Sequence, residues 1–158
     1  MTIMGIDPGT ATTGFGIVKK DRGNFEMLDF GIIATSPKDT ASKRLEKIFQ
    51  EILSILEKHK PELVVVEKLY FFKNLKTAMP VAEARGVILL AIQQSKVKII
   101  ELTPLEVKMG ICGYGRAEKQ QVQKMVKETL KLEKIPKPDD VADALALAIC
   151  GALKARCG

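Results

Sequence analysis

Ile3-Met4-Gly5-Ile6-Asp7-Pro8-Gly9-Thr10 is the stretch whose reading decides the fold of this chain. A short apolar run ends on a carboxylate, and Pro-Gly turns the backbone at once. A second apolar run, from near Gly14 to Val18, then returns. The segment reads as a strand, a turn and a returning strand, with Asp7 at the end of the first. A carboxylate at a strand end is common and says little alone. Three further acids give this one its meaning.

Outward from that hairpin, Lys20-Asp21-Arg22-Gly23-Asn24 is a turn signal, and Phe25, Met27, Leu28, Phe30, Ile32 and Ile33 make a third strand. Strands over residues 2–7, 14–19 and about 25–33, joined by short turns, form an antiparallel meander. From Thr40 to His59 the period changes: Leu45, Ile48, Phe49, Ile52, Ile55 and Leu56 share one helical face. Pro61 stops that helix. Leu63-Val64-Val65-Val66 is unbroken apolar sequence, as expected of a strand buried on both faces, and it closes on Glu67.

A helix follows over residues 75–95, with the small residues Ala78, Ala82, Ala84, Gly86 and Ala91 allowing close approach to a sheet or partner helix. Residues 97–102 make a fifth strand, and a short helix runs from Thr103 to about Met109. Gly110, Gly113 and Gly115 read as a flexible loop, followed by an amphipathic helix over about 117–132 and a last helix over 139–154. This order of elements predicts a five-stranded mixed α/β sheet, strands one to three antiparallel and strands four and five parallel to the first. With strand four beside strand one, Asp7 and Glu67 stand at adjacent carboxyl ends, where open α/β sheets place their sites.

Composition narrows the chemistry. At 158 residues the chain makes one domain, 1–158, large enough for its own core. No apolar run approaches the roughly 20 residues of a membrane span. No basic flank resembling a secretory leader precedes the first strand, which suits a cytoplasmic protein. Cys112, Cys150 and Cys157 lack metal-ligand spacing, and the lone His59, read as solvent-facing at a helix end, leaves zinc and a Ser/His triad without ligands. Catalysis is left to carboxylates and lysines. The net charge of +6 suits a polyanion such as nucleic acid, and equally an ordinary basic surface.

Asp143 is the most informative residue. Val141-Ala142-Asp143-Ala144-Leu145-Ala146-Leu147-Ala148-Ile149 is apolar almost all round, and an ionised aspartate inside it needs a cation. Asp140, three residues earlier, shares its helical face, whereas Asp139 reads as a favourable helix N-terminal acid. Two strand-end acids and two helix acids without histidine favour hard divalent ions, Mg²⁺ or Mn²⁺. A pair of such ions roughly 4 Å apart promotes phosphodiester hydrolysis.

These motifs resemble the RuvC family, bacterial Holliday-junction resolvases of the ribonuclease-H-like superfamily. The resemblance lies in Asp7-Pro8-Gly9 with Thr13-Gly14-Phe15-Gly16, Glu67 after the valine run, Lys73-Asn74, Ala84-Arg85-Gly86, Gly113-Tyr114-Gly115-Arg116-Ala117-Glu118-Lys119, and Asp140-Val141-Ala142-Asp143. It runs nearly end to end. It implies a ribonuclease-H-like fold and an endodeoxyribonuclease of homologous recombination and DNA repair that cuts opposed strands of a four-way junction, leaving 5′-phosphate and 3′-hydroxyl ends. It implies two Mg²⁺ held by Asp7, Glu67, Asp140 and Asp143, with Mn²⁺ as a substitute and Asp140 chosen over Asp139. Lys119 is implied beside the scissile phosphate and Lys108 at a second basic position. Tyr70 is implied at the junction centre; Lys73, Asn74, Lys76, Arg85 and Arg116 are further DNA contacts. A homodimer through the helix over 75–95 is implied, as are branch-migration partners of the RuvA and RuvB type.

Three competitors remain at this level. A sugar kinase shares the opening hairpin but needs two large domains around ATP. A non-catalytic junction-binding protein predicts missing acids. A related nuclease acting on ribosomal RNA precursors shares the fold and acids, but without the Gly-Tyr-Gly-Arg-Ala-Glu-Lys stretch in this form.

Overall fold

Unbroken apolar sequence along the central strands dictates a sheet covered on both sides. The fold is that of a computed structural model, which describes residues 1–68 and 75–155, apart from the side chains of Leu75 and Thr77. Strands β1 (Thr2–Asp7), β2 (Thr12–Asp21) and β3 (Asn24–Ala34) form the expected meander. Arg22 and Gly23 both take positive φ, +47° and +96°, the left-handed pair that a two-residue hairpin needs. Helix α1 (Ala41–His59) begins where the Thr40 hydroxyl accepts from the Lys43 amide, and stops at Lys60 in the left-handed conformation. Strands β4 (Leu63–Glu67) and β5 (Lys98–Leu102) run parallel to β1, giving the order β3-β2-β1-β4-β5. Helices α2 (Leu75–Gln94), α3 (Pro104–Cys112), α4 (Lys119–Thr129) and α5 (Asp139–Lys154) complete the chain.

One face of the sheet presents Met4, Ile6, Ile17, Val64 and Val66 to Ile48, Ile52 and Leu56 of α1 and to Ala84, Ile88, Ala91 and Ile92 of α2. Each such fully buried branched side chain contributes about 1.5–3 kcal/mol relative to exposure. The other face presents Ile3, Val18, Leu63, Val65 and Leu102 to α5, with Val107, Ile111, Val122 and Val126 of α3 and α4 closing the rim. The apolar run of α5 is buried from Val141 to Ala152 except at Asp143. Among the described residues no helix is long and apolar enough to cross a membrane.

Two expectations change. Gly110 lies inside α3 rather than in a loop, because a Cβ there would stand 2.7 Å from Cys150 Sγ and only glycine lets α3 meet α5 so closely. His59 is not solvent-facing: its side chain is 13% exposed and Nε2 lies 2.8 Å from Asp29 Oδ2, tying α1 to β3. Asp139 stands in the first turn of α5, as expected of an N-terminal acid, with Pro138 as the N-cap.

Candidate active site

The pairing Ile6↔Val66 sets Asp7 and Glu67 side by side at the ends of β1 and β4. With period two, Asp7 points to the same face as Ile3, and Glu67 to the same face as Leu63 and Val65, the face that α5 covers. What brings α5 onto that face is the absence of side chains beneath it. A Cβ on Gly5 would lie 1.9 Å from the Ala144 carbonyl oxygen, and one on Gly14 would lie 2.2 Å from that of Asp140. Helix backbone therefore rests directly on strand backbone. Asp140 and Asp143, one turn apart at the head of α5, reach the strand-end acids as a result.

Electrostatics reports the crowding. Burial, then the charges of Glu67, Asp143 and Asp140, push the Asp7 carboxyl up to about 8. The neutral form of Asp7 is thereby favoured. Burial and the Asp143 charge raise Glu67 as well. Burial also raises Asp143, against the pull of Lys119. The Lys119 ammonium lies 3.1 Å from Asp143 Oδ2 and 3.4 Å from Asp139 Oδ2. It is the local counter-charge in a pocket with too few. As the side chains stand, no three acids among the described residues are gathered closely enough to hold an ion. The donor set itself is all oxygen, anionic and partly desolvated, which fits hard cations of the Mg²⁺ or Mn²⁺ kind.

Helical spacing separates the adjacent aspartates. Asp140 faces β2, where the Thr12 hydroxyl donates to its Oδ2 at 2.8 Å. Asp139 turns away: its Oδ1 accepts from Lys137 Nζ and from Gln123 Nε2, both at 3.1 Å. Thr12 escaped the sequence reading because its partner lies 128 residues away and no spacing announces it. A hydroxyl that fixes one carboxylate oxygen orients the other. Thr12→Val should therefore weaken Mn²⁺ binding, followed by calorimetry, roughly 10- to 100-fold, while Thr12→Ser retains it.

The remaining cations fall into three groups. Lys108 and Lys119 flank a cavity of about 250 Å³ beside Glu67 and Asp143, floored by Val107, Val122 and Leu147. Lys76 borders a second groove on the other side of the acids, and Arg116 is exposed in the α3–α4 loop. Arg85, expected as a phosphate contact, donates here from Nε to the Glu67 carbonyl oxygen at 3.3 Å and pairs with Glu101. It braces the end of β4. Tyr70, Lys73 and Asn74 lie outside the described residues.

A mixed sheet in this order, with acids at two parallel strand ends and on the helix laid across them, defines a ribonuclease-H-like nuclease domain. The solved structure of Thermus thermophilus RuvC has that fold: it matches with a TM-score of 0.92 and 35% identity, over 100% of this chain and 97% of its own. The structure of T. thermophilus RuvC in complex with a Holliday junction substrate also gives 0.92, at 32% identity over the same shares. The sequence profile described as crossover junction endodeoxyribonuclease RuvC matches residues 3–151. The crossover junction endodeoxyribonuclease RuvC of Fusobacterium nucleatum is 51% identical over 149 residues, 94% of this chain and 78% of its own. The chain belongs to the RuvC family of DNA-cleaving hydrolases.

Proposed function

We propose that this protein resolves four-way DNA junctions by paired hydrolysis of one phosphodiester in each of two opposed strands, as part of homologous recombination and DNA repair. The observation that carries this reading is the placement of Asp7 and Glu67 at the ends of the adjacent strands β1 and β4, with α5, which bears Asp140 and Asp143, laid directly on that face of the sheet. Asp7, Glu67, Asp140 and Asp143 would hold two divalent cations, Mg²⁺ or Mn²⁺, whose chemistry is to acidify a water and offset phosphoryl charge. Asp7, whose carboxyl feels the charges of Glu67, Asp143 and Asp140, would serve both positions. The Lys119 ammonium, already drawn to Asp143, sits where negative charge grows on the phosphoryl oxygens as the bond breaks. Lys108 extends that positive wall. Water attack at phosphorus with loss of the 3′ oxygen leaves 5′-phosphate and 3′-hydroxyl ends.

A junction offers two equivalent cleavage points, so the reading includes a homodimer. Its support is the outer face of α2, where Met79 is 68% and Leu90 52% exposed and nothing lies within 4 Å above Gly86. Proteins of the RuvA and RuvB type, acting on the same DNA in the cytoplasm, are the partners that this role calls for.

A synthetic immobile junction, the matching duplex and an RNA duplex, each incubated with Mg²⁺, test the proposal. Wild type should nick the junction in paired fashion and spare both duplexes. Asp143→Asn should lose cleavage by about 10²–10³-fold and keep junction binding. Equal cutting of the junction and either duplex, or full activity of the variant, overturns the reading.

A further inference from the structure

The groove on the β1–β2 side of the acids contains residues that the proposed chemistry leaves unused. It measures about 450 Å³, with Asp7 and Asp140 on one wall and Thr10, Arg44 and Lys76 on the others. The Thr10 hydroxyl is buried and has no hydrogen-bond partner. Such a group carries an uncompensated desolvation cost that a ligand oxygen relieves.

Arg44 enters this groove from the first turn of α1. Its Nε donates to Thr35 Oγ1 at 2.8 Å, and the Thr35 hydroxyl donates in turn to the Thr10 carbonyl oxygen. The guanidinium is thereby pinned to the β1–β2 loop through one nitrogen. Among the described residues no carboxylate pairs with the others. Arg44 is not the counter-charge of the acid cluster either, because that part falls to Lys119. A pre-positioned fork of N–H donors beside an orphaned hydroxyl matches phosphate oxygens, which take two or more donors from an arginine.

We infer that Arg44, together with the Thr10 hydroxyl and Lys76, forms a second phosphate subsite, holding a phosphate of the cleaved strand next to the one that is hydrolysed. The inference rests on the DNA-cleaving reading. Lys108 and Lys119 stand on the α3–α4 side of the acids, and Arg44 and Lys76 on the α1–α2 side. A strand lying across Asp7 meets both walls. Tension between two held phosphates fixes where along the strand the attack falls, so the subsite positions the cut.

Methylphosphonate scanning tests this directly, with a single neutral linkage placed in turn at each position around the cut of the junction. Binding is read in the Asp143→Asn background, which separates it from cleavage. The parent should lose roughly tenfold in affinity at one position beside the cut. Arg44→Gln should bind the unmodified junction roughly tenfold more weakly, with a salt slope reduced by about 0.9, and be indifferent to that substitution while still sensing the others. Thr10→Val, which breaks no hydrogen bond within the protein, should mute the same position. Arg44→Lys should recover part of the affinity. If Arg44→Gln keeps the parent's full profile of sensitive positions, its role is to brace the loop and the inference fails. If the parent itself binds junction no better than duplex, the proposed function fails instead, and the profile of Arg44→Gln on duplex still decides the subsite.

Discussion

Asp7→Asn should abolish cleavage and, without divalent ions at pH 8, make the protein melt at a higher temperature than wild type. The first half follows from its place among Glu67, Asp140 and Asp143; losing a preorganised charge partner costs about 10²–10³-fold or more. The second half follows from linkage. Asp7 has its ordinary value of 3.8 in the unfolded chain and about 8 when folded. Below pH 4 both states hold the proton and burial of Asp7 carries no charge penalty. Between pH 4 and 8 the unfolded chain releases it while the folded chain keeps it, so stability declines across that window. Asparagine cannot ionise and removes Asp7's share of the decline, which is the largest. Glu106, held down to about 2 by its bond to Lys154, acts oppositely and loses its contribution as pH falls toward 2. The metal-free protein should thus be most stable in mildly acidic solution. Melting curves from pH 4 to 9 check this. Mn²⁺ should restore the stability of wild type at pH 8 and leave Asp7→Asn unmoved; an equal pH-dependent fall in both proteins would contradict the account.

Gly5→Ala should be the most damaging single methyl that can be added to this molecule. The new carbon would lie 1.9 Å from the Ala144 carbonyl oxygen and 2.7 Å from the Ala148 nitrogen, both main-chain atoms of α5. No rotamer relieves a clash between backbones, so the helix must lift. Overpacking of this severity costs about 3 kcal/mol or more, a loss of about 6–12 °C in Tm for a chain of this length. Since Asp140 and Asp143 travel with α5, cleavage should fall even at temperatures where the variant is folded. Differential scanning calorimetry and junction cutting at 20 °C separate the two effects. Retention of both would mean that α5 is held by something other than its seat on β1.

Much of this arrangement was legible because it is written in short-range patterns. A short apolar run at residues 3–6 closed by Asp7-Pro8-Gly9, an unbroken run at 63–66 and period 3.6 in residues 45–56 dictated the elements and hence the sheet order. An aspartate inside the alanine-leucine run of α5 stood out for the same reason. The contacts that tune the site were not legible, because they join distant segments. The hydrogen bond from Thr12 to Asp140 has no local signature. His59 looked exposed because its own helix says nothing about Asp29 on a neighbouring strand. Arg85 carried the right charge for DNA, and only tertiary structure reveals that Glu67 and Glu101 claim it. Gly110 looked like a hinge until Cys150 supplied the reason for its missing side chain.

The late position of α5 has a consequence for damaged copies. It is the last element of the order, yet it roofs the sheet that the earliest strands build. A copy whose synthesis halts ahead of residue 139 keeps two of the four acids and leaves Ile3, Val18 and Val65 bare to solvent. Such a fragment is sticky, poorly folded and an easy target for proteolysis, and under the proposed chemistry it has no means of breaking a chromosome. Competence to cut and the cover of the sheet both depend on α5, so an unfinished nuclease is also a harmless one.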